Sequence, residues 1–439
     1  MSHRSTIAAL LGLVACTVDN KITVGEPTAT PGDSGDAGDS GEDTFNALSV
    51  VEVAATERHD CLGELARGGD LNGDGFSDLL VSTPHSDEGG PDAGKIVAVA
   101  GPLDAGESSL ATPIFTVIGH QELLGEQLTD QRDLDGDGVV DLVFVDAGDA
   151  YVVSGPVNGD LDVDELLPAV QQDGDRTFHG LALGSLVSSG EVDAAAAFTG
   201  TNEIGIFGGV AESVERSAAT PDFVVSGGAT VLGRQPAIAD VTGDGIPDLL
   251  VAGDRAWVVP GPLSAANVGI SEIGSVLYDG WTDVIGTAGD VDGDGTEDVL
   301  TVAGAARGHE GFARTFEVGG SVTSIGTWAG ADPDDRIGAV GSALGDIDGD
   351  GRGDVVVGGP ENNESNLRGR AWILLDAGVP GEYGIADAAF VLEGANDYDN
   401  FGHAAVGPGN VVGDERSDLA VTAWGYDSGS GRLYIFGVP

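Results

Sequence analysis

Basic side chains are scarce in this chain. Lys and Arg number 18 against 73 Asp and Glu, a formal net charge of −55 at pH 7. A surface this negative repels phosphate, which excludes nucleic acid and the anionic membrane surface as direct partners. The acidic excess reads first as a solvated surface suited to salt or to solubility. Cysteine is nearly absent: Cys16 and Cys61 are the whole complement. Histidine is thin and scattered, at His3, His59, His85, His120, His179, His309 and His403, and none falls in a metal-ligand spacing. No G-x-S-x-G elbow and no phosphate-binding glycine loop occurs. The longest apolar run near the start, Ile7 to Val14, is too short to cross a bilayer. These absences leave no catalytic constellation, and the chain is expected not to be an enzyme.

The chain has instead a repeated acidic loop, D-x-D-x-D-G-x-x-D. Three copies are complete: Asp133, Asp135, Asp137 and Asp141; Asp290, Asp292, Asp294 and Asp298; Asp346, Asp348, Asp350 and Asp354. Two more differ at the second ligand: Asp70, Asn72, Asp74 and Asp78; Asp240, Thr242, Asp244 and Asp248. Oxygen side chains at positions 1, 3, 5 and 9 describe a loop wrapped around one hard cation. Ca²⁺ takes about 6–8 oxygens at irregular geometry and suits such a loop. Position 7 (Phe76, Val139, Ile246, Thr296 or Arg352) is expected to add its backbone carbonyl. The glycine at position 6 permits the positive φ of a tight turn. About five Ca²⁺ sites are expected.

An EF-hand is the obvious rival, and two features argue against it. It requires a bidentate Glu at position 12 and a helix after the loop. Position 12 here is Val81, Phe144, Val251, Thr301 or Val357. Position 9 leads into a short apolar run rich in β-branched residues, such as Leu79 to Ser82 or Val355 to Gly358. These runs read as buried strands, so each loop joins two strands.

The loops mark an internal repeat. Two eroded copies complete the series. Ser185 to Asp193 keeps only the last carboxylate, and Asn410 to Asp418 keeps Asp414 and Asp418. Seven copies then run from about residue 60 to the end, at an average spacing of roughly 57 residues. An apolar or His residue followed by Gly precedes most loops: Leu62-Gly63, Leu124-Gly125, His179-Gly180, Leu232-Gly233, Ile337-Gly338 and Phe401-Gly402. A third strand comes after each loop, as at Ile96 to Ala100 or Trp257 to Pro260, and a fourth leads into the next copy. Four short strands per repeat of this length predict an all-β, seven-bladed propeller. Trp257 and Trp372, at matching places in third strands, are expected in the core.

Phe401-Gly402, the acidic loops and closures such as Val357-Gly358-Gly359-Pro360 resemble FG-GAP repeats, which build the seven-bladed propeller of integrin α subunits and of many bacterial surface proteins. The resemblance covers residues 45–439. It implies Ca²⁺ loops between strands 1 and 2 on one face, and a protein or glycan ligand on the opposite face, in the 2–3 and 4–1 loops. The longest of these are Pro84–Lys95, Pro360–Arg370 and Trp424–Arg432. The third and seventh copies depart from the family's metal pattern.

A ring must close, because an open edge invites pairing with other chains. The last copy ends after its third strand, so residues 45–55, with Ala47 to Val53 at their centre, are expected to supply the missing strand. Ahead of it, residues 1–15 read as a signal peptide, with Arg4 before the apolar run and Leu13-Val14-Ala15-Cys16 resembling a bacterial lipoprotein cleavage site. Cys16 is then the lipid attachment site. Thr17 in place of Asp favours the outer membrane by analogy. Residues 16–44 become a tether rich in Gly, Ser and Asp, extended by charge repulsion. With Cys16 lipidated no disulfide forms within the chain, and Cys61 is expected to be a buried thiol.

The favoured function is a lipid-anchored, Ca²⁺-binding adhesion or ligand-binding module on the cell envelope. The alternative is a secreted enzyme acting on polysaccharide or phospholipid, with its site at the mouth of the axial channel. His85, Asp87, Glu88, His309 and Glu310 fall in 2–3 loops and read as solvated loop contacts.

Overall fold

The computed structural model describes residues 62–437 apart from short stretches of the connections, together with the backbone of Thr23–Val24 and Ser49–Ala54. The described residues form seven sheets arranged as seven blades, and α-helix among them is limited to Ile270–Ile273 and the single position Tyr426. No helix among them is long and apolar enough to cross a membrane.

The strand after each loop explains the architecture. Asp78–Thr83, Asp193–Phe198, Asp248–Gly253, Asp298–Ala303, Asp354–Gly359 and Asp418–Ala423 are buried at every residue. A strand buried on both faces needs apolar side chains at odd and even positions alike, and the runs supply them. Alternation sends successive side chains to opposite seams. Leu79 and Val81 pack against the seventh blade, with Ala420 and Ile435, while Leu80 packs against Phe144 and Tyr151 of the second. The core is accordingly divided. Among the described residues there are seven apolar clusters, one at each seam between neighbouring blades. Trp257 and Trp372 lie in two of them, as expected.

The first strand of each blade lines the axis and the fourth lies outermost, all antiparallel. In the second blade the innermost position is held only by isolated bridges, Leu128 to Phe144 and Arg132 to Asp141. The chain then adds something that the four-strand pattern omits. The connection between strands 3 and 4 reaches back and lays a fifth, parallel strand on the preceding blade. Leu161–Asp162 does so on the first blade, Arg216–Ser217 on the second, Asn267–Gly269 on the third, Gly381–Gly384 on the fifth and Gly106–Ser109 on the seventh. Each covers an edge that would otherwise present unpaired backbone groups.

The N-terminal side closes the ring. Ser49–Ala54 takes the fourth place in the seventh blade, antiparallel to Arg432–Gly437, with Ser49 opposite Gly437 and Ala54 opposite Arg432. Within the segment expected as a tether, Thr23–Val24 pairs antiparallel with Leu392 and Glu393 on the outer edge of the sixth blade. That dipeptide stands where the missing 3–4 connection of the last blade would have gone. Cys16, Cys61, the signal segment and the rest of the tether lie outside the described residues.

The apolar-Gly mark has a steric cause. Phe401 is fully buried against Tyr434. Gly402 stands next at φ +86°, and a Cβ there would collide with the backbone of Arg370. Both the φ and the close approach demand glycine.

Candidate metal loops and the opposite face

Each acidic loop is built by its own carboxylates. In the first blade, Asp70 Oδ1 accepts the N–H groups of Gly73 and Asp74 at 2.7 and 2.9 Å, and Oδ2 accepts that of Gly75 at 2.9 Å. Asn72 Oδ1 takes the N–H of Asp74 at 2.8 Å, and Asp74 Oδ1 takes that of Phe76 at 2.9 Å. The same ladder recurs in the other four loops, from Asp133, Asp240, Asp290 and Asp346 to the glycines at positions 4 and 6. Position 7, at Val139, Ile246, Thr296 and Arg352, likewise donates its N–H to the carboxylate at position 5. These bonds fix which way positions 1, 3 and 5 face before any ion arrives. Gly75 stands at φ +93° with open space beside it, so that position needs glycine for its dihedral alone.

Position 9 has a second task that spacing alone did not reveal. In all seven blades its carboxylate is buried and accepts the N–H of the residue at position 2. The donors are Leu71, Leu134, Leu186, Val241, Val291, Ile347 and Val411, at 2.6–3.0 Å. In the first four blades the other oxygen accepts a glycine N–H where the third strand ends: Gly101, Gly155, Gly209 and Gly261. This aspartate therefore ties strands 1, 2 and 3 together at one end. The signal was present in the sequence, since Asp193 survives in a copy that lost its other ligand carboxylates and Asp418 in one that kept only Asp414 beside it.

In the three complete copies, carboxylate oxygens gather closely enough to share an ion. Asp133, Asp135 and Asp141 form one such group, Asp290, Asp292 and Asp294 a second, and Asp346, Asp348 and Asp354 a third, each with its ligand atoms within 4.8 Å of one another. The electrostatics point the same way. Burial raises the carboxyl of Asp354 to about 9, with Asp348, Asp350 and Asp346 adding to it. Burial likewise lifts Asp298 to about 7 and Asp78 to about 6, and raises Asp248. Asp354 Oδ1 is buried without a hydrogen-bond partner. Carboxylates crowded, desolvated and partly orphaned in this way fit a hard divalent cation, which would relieve all three conditions at once.

The loops also bond from blade to blade. Ser77 donates its N–H to the carbonyl of Asn410 at 3.2 Å, and Gly353 donates to that of Asp290 at 2.6 Å. Each joins position 8 of one loop to position 1 of the preceding one. An ion that orders a loop therefore stiffens a seam as well as a turn.

The axial cavity, of about 810 Å³, is polar and charged. Arg67 donates Nη2 to the carbonyl of Ala343 at 2.7 Å, and its backbone N–H to Asp130 at 3.0 Å. Burial raises Glu297, opposed by the positive charges of Arg67 and Arg132, and burial lowers Arg132. Glu64 also lines the cavity, and burial alone pushes its carboxyl up to about 7.

On the face away from the acidic loops, His85 Nδ1 lies 3.0 Å from Asp92 and Lys95 donates to Glu88 at 3.0 Å. Asp87 accepts the N–H of Asp92 at 2.9 Å. The Pro84–Lys95 loop thus pairs within itself. His403 stacks on Trp424 with ring centroids 6.0 Å apart. His309, Asp414 and parts of the loops 360–370 and 424–432 lie outside the described residues.

Comparison with known proteins agrees with this architecture. A family profile described as FG-GAP repeat matches residues 63–99 and 339–374, in the first and sixth blades. Integrin alpha-PS2 of Drosophila melanogaster is 33% identical over 174 residues, which is 38% of this chain but only 12% of that protein. The chain carries FG-GAP repeats on a seven-bladed β-propeller and is similar to integrin α over part of its length.

Proposed function

We propose that this FG-GAP propeller is a Ca²⁺-binding adhesion or ligand-binding module, held at the cell envelope by lipid on Cys16. The observation that carries the reading is the clustering of preoriented carboxylates into three groups of the kind that share an ion. Two further loops, at Asp70 and Asp240, have the same hydrogen-bond plan, which supports about five Ca²⁺ ions in all. Ca²⁺ stiffens the seams, and the 2–3 and 4–1 loops on the other face meet a protein or glycan partner. The similarity to an integrin α supports binding over catalysis. Contact with the membrane is through the lipid alone, and nucleic acid is excluded by charge. The outer membrane is the proposed location.

The test is a glycan array and an envelope-protein pull-down, each run with Ca²⁺ and with EDTA. Binding that appears only with Ca²⁺ is the expected result. Equal capture in both conditions would sink the Ca²⁺-dependent part.

The enzyme reading keeps one supporting observation, the Glu64 carboxyl raised to about 7 within the axial cavity, a value suited to a general acid. If that reading holds, hydrolysis of a polysaccharide or phospholipid panel falls by orders of magnitude in Glu64→Gln. Absence of hydrolysis by the wild type, or an equal rate in the variant, removes it.

A further inference from the structure

We propose a second kind of metal site, for a divalent first-row transition ion of the Zn²⁺ class, made by His120, Asp162 and Asp164 where the first and second blades meet.

The residues arrive from different parts of the chain. His120 lies just past the fourth strand of the first blade, Thr116–Ile118. Asp162 ends Leu161–Asp162, the strand that the second blade lays in parallel on that one. Asp164 lies in the turn Val163–Glu165 just beyond. One donor atom from each lies within 4.8 Å of the others. The group sits at the end of the fourth strand, on the face away from the acidic loops, so it is separate from them.

Three observations point to a cation there. The first is the tautomer of His120. Its Nδ1 lies 3.0 Å from the carbonyl of Gly89, which can only accept, so Nδ1 carries the proton. In the neutral ring Nε2 then presents a lone pair, and it lies 2.8 Å from Asp162 Oδ1. At that distance a proton on Nε2 bridges the two atoms, and the bond to Asp162 raises the imidazole above its ordinary value, so a metal would take the place of that proton. Backbone-fixed Nδ1–H with Nε2 turned toward carboxylates is also the arrangement of a metal-ligating histidine.

The second is Asp146 at the end of Leu142–Asp146. It is 2% exposed, and its Oδ1 has no hydrogen-bond partner. Burial raises its carboxyl to about 6, and the charges of Asp149, Asp164 and His120 act on it from nearby. A buried, orphaned carboxylate oxygen is costly unless it faces a cation.

The third is the donor set. An imidazole nitrogen with carboxylates suits Zn²⁺, Co²⁺ or Mn²⁺, whereas Ca²⁺ and Mg²⁺ prefer oxygen alone. The acidic loops offer only oxygen. The two kinds of site should therefore sort metals. His120 and Asp162 side chains are 29% and 42% exposed, so water or a partner's donor has access to the remaining coordination positions. Bound there, the ion clasps the second blade's connection onto the first.

The simplest rival needs no metal: a protonated His120 paired with Asp162. Titration of full-length protein with Co²⁺ in excess Ca²⁺ separates the two, read by calorimetry and by visible absorption of the bound Co²⁺. The expected result is one Co²⁺ per chain, displaced by Zn²⁺ and not by Mg²⁺. It is lost in His120→Gln and in Asp164→Asn, and retained in the loop variant Asp294→Asn. Melting in EDTA checks that the variants fold. Asp164→Asn, which leaves the histidine in place, decides the matter should His120→Gln fold poorly. No Co²⁺ uptake in excess Ca²⁺, or uptake unchanged in Asp164→Asn, overturns the site and leaves an ion pair only.

Discussion

Asp193 accepts the N–H of Leu186 at 2.8 Å, and that of Val187 at the same distance, in a loop that has lost every other ligand carboxylate. The ninth aspartate thus serves the blade before it serves any metal. Asp193→Ala should leave the number of bound Ca²⁺ ions unchanged. It should nonetheless destabilise the fold by roughly 2–5 kcal/mol, since the amides of Leu186, Val187 and Gly209 lose their acceptor in a buried setting. Calorimetric Ca²⁺ counting paired with chemical denaturation checks this. A drop in the Ca²⁺ count, or a variant as stable as the wild type, would contradict the assignment.

A contrasting outcome is expected at positions 1, 3 and 5. Asp294 and Asp350 are exposed loop residues whose bonds stay within their loops. Asp294→Ala and Asp350→Ala should each remove about one bound Ca²⁺. In EDTA their melting temperatures should lie close to that of the wild type.

Proton uptake should report the same sites. Without metal, burial raises Asp354 to about 9, Asp298 to about 7 and Asp78 to about 6. A carboxyl raised above its unfolded value of about 4 favours the folded state at low pH, and loses that contribution as pH rises through the folded value. Metal-free protein should therefore melt highest near pH 5 and less stably toward pH 9. Ca²⁺ ionises these groups, so binding at pH 6–7 should release protons. Calorimetry in buffers of different ionisation enthalpy measures that release. Metal-free melting that rises steadily from pH 5 to 9 would contradict the reading.

Much of the fold was legible in the residues. Loop spacing, the apolar runs after position 9 and the phase of the last copy pointed to a seven-bladed ring, and a closing strand around residues 47–53 was expected where Ser49–Ala54 now pairs. The fifth strands were not legible. Pairs such as Leu161–Asp162 are too short to carry a period-2 signal, and their pairing depends on where the preceding blade's edge lies. The His120 group was invisible for a related reason. Its members lie 42 and 44 residues apart and meet only because one blade's connection crosses onto the next. The split role of position 9 needed coordinates, because a ligand and a backbone acceptor share one residue type.

Anchoring is tested at Cys16. If lipid is attached there, Cys16→Ser should move the protein to the soluble fraction and abolish labelling with a fatty-acid probe. Membrane association unchanged in the variant would remove the lipoprotein reading and leave the propeller untouched.

Calcium should be a large part of the stability of the ring. A ligand that binds only the folded state stabilises it by RT ln(1 + [L]/Kd), about 1.4 kcal/mol per site at ten times Kd and roughly 7 for five sites. That rivals the whole stability of a typical domain, about 5–15 kcal/mol. The blade-to-blade bonds from Ser77 to Asn410 and from Gly353 to Asp290 pass through loops that the ion would order, so its loss should loosen seams as well as turns. Chelation should lower the melting temperature sharply. Ca²⁺ should restore it and Mg²⁺ should do so poorly, because the small octahedral shell of Mg²⁺ fits an irregular loop badly. Truncation separates this term from ring closure. Among the described residues, removing 17–40 takes away the Thr23–Val24 pairing, and this should be nearly silent in Ca²⁺. Removing 17–55 deletes the whole of Ser49–Ala54 and its six-residue ladder with Arg432–Gly437. That protein should melt far lower even in saturating Ca²⁺, since metal loops cannot replace a missing strand. Equal melting of the two truncations would mean that the ring is held shut elsewhere, and no shift with EDTA would mean that the loops hold no stabilising ion.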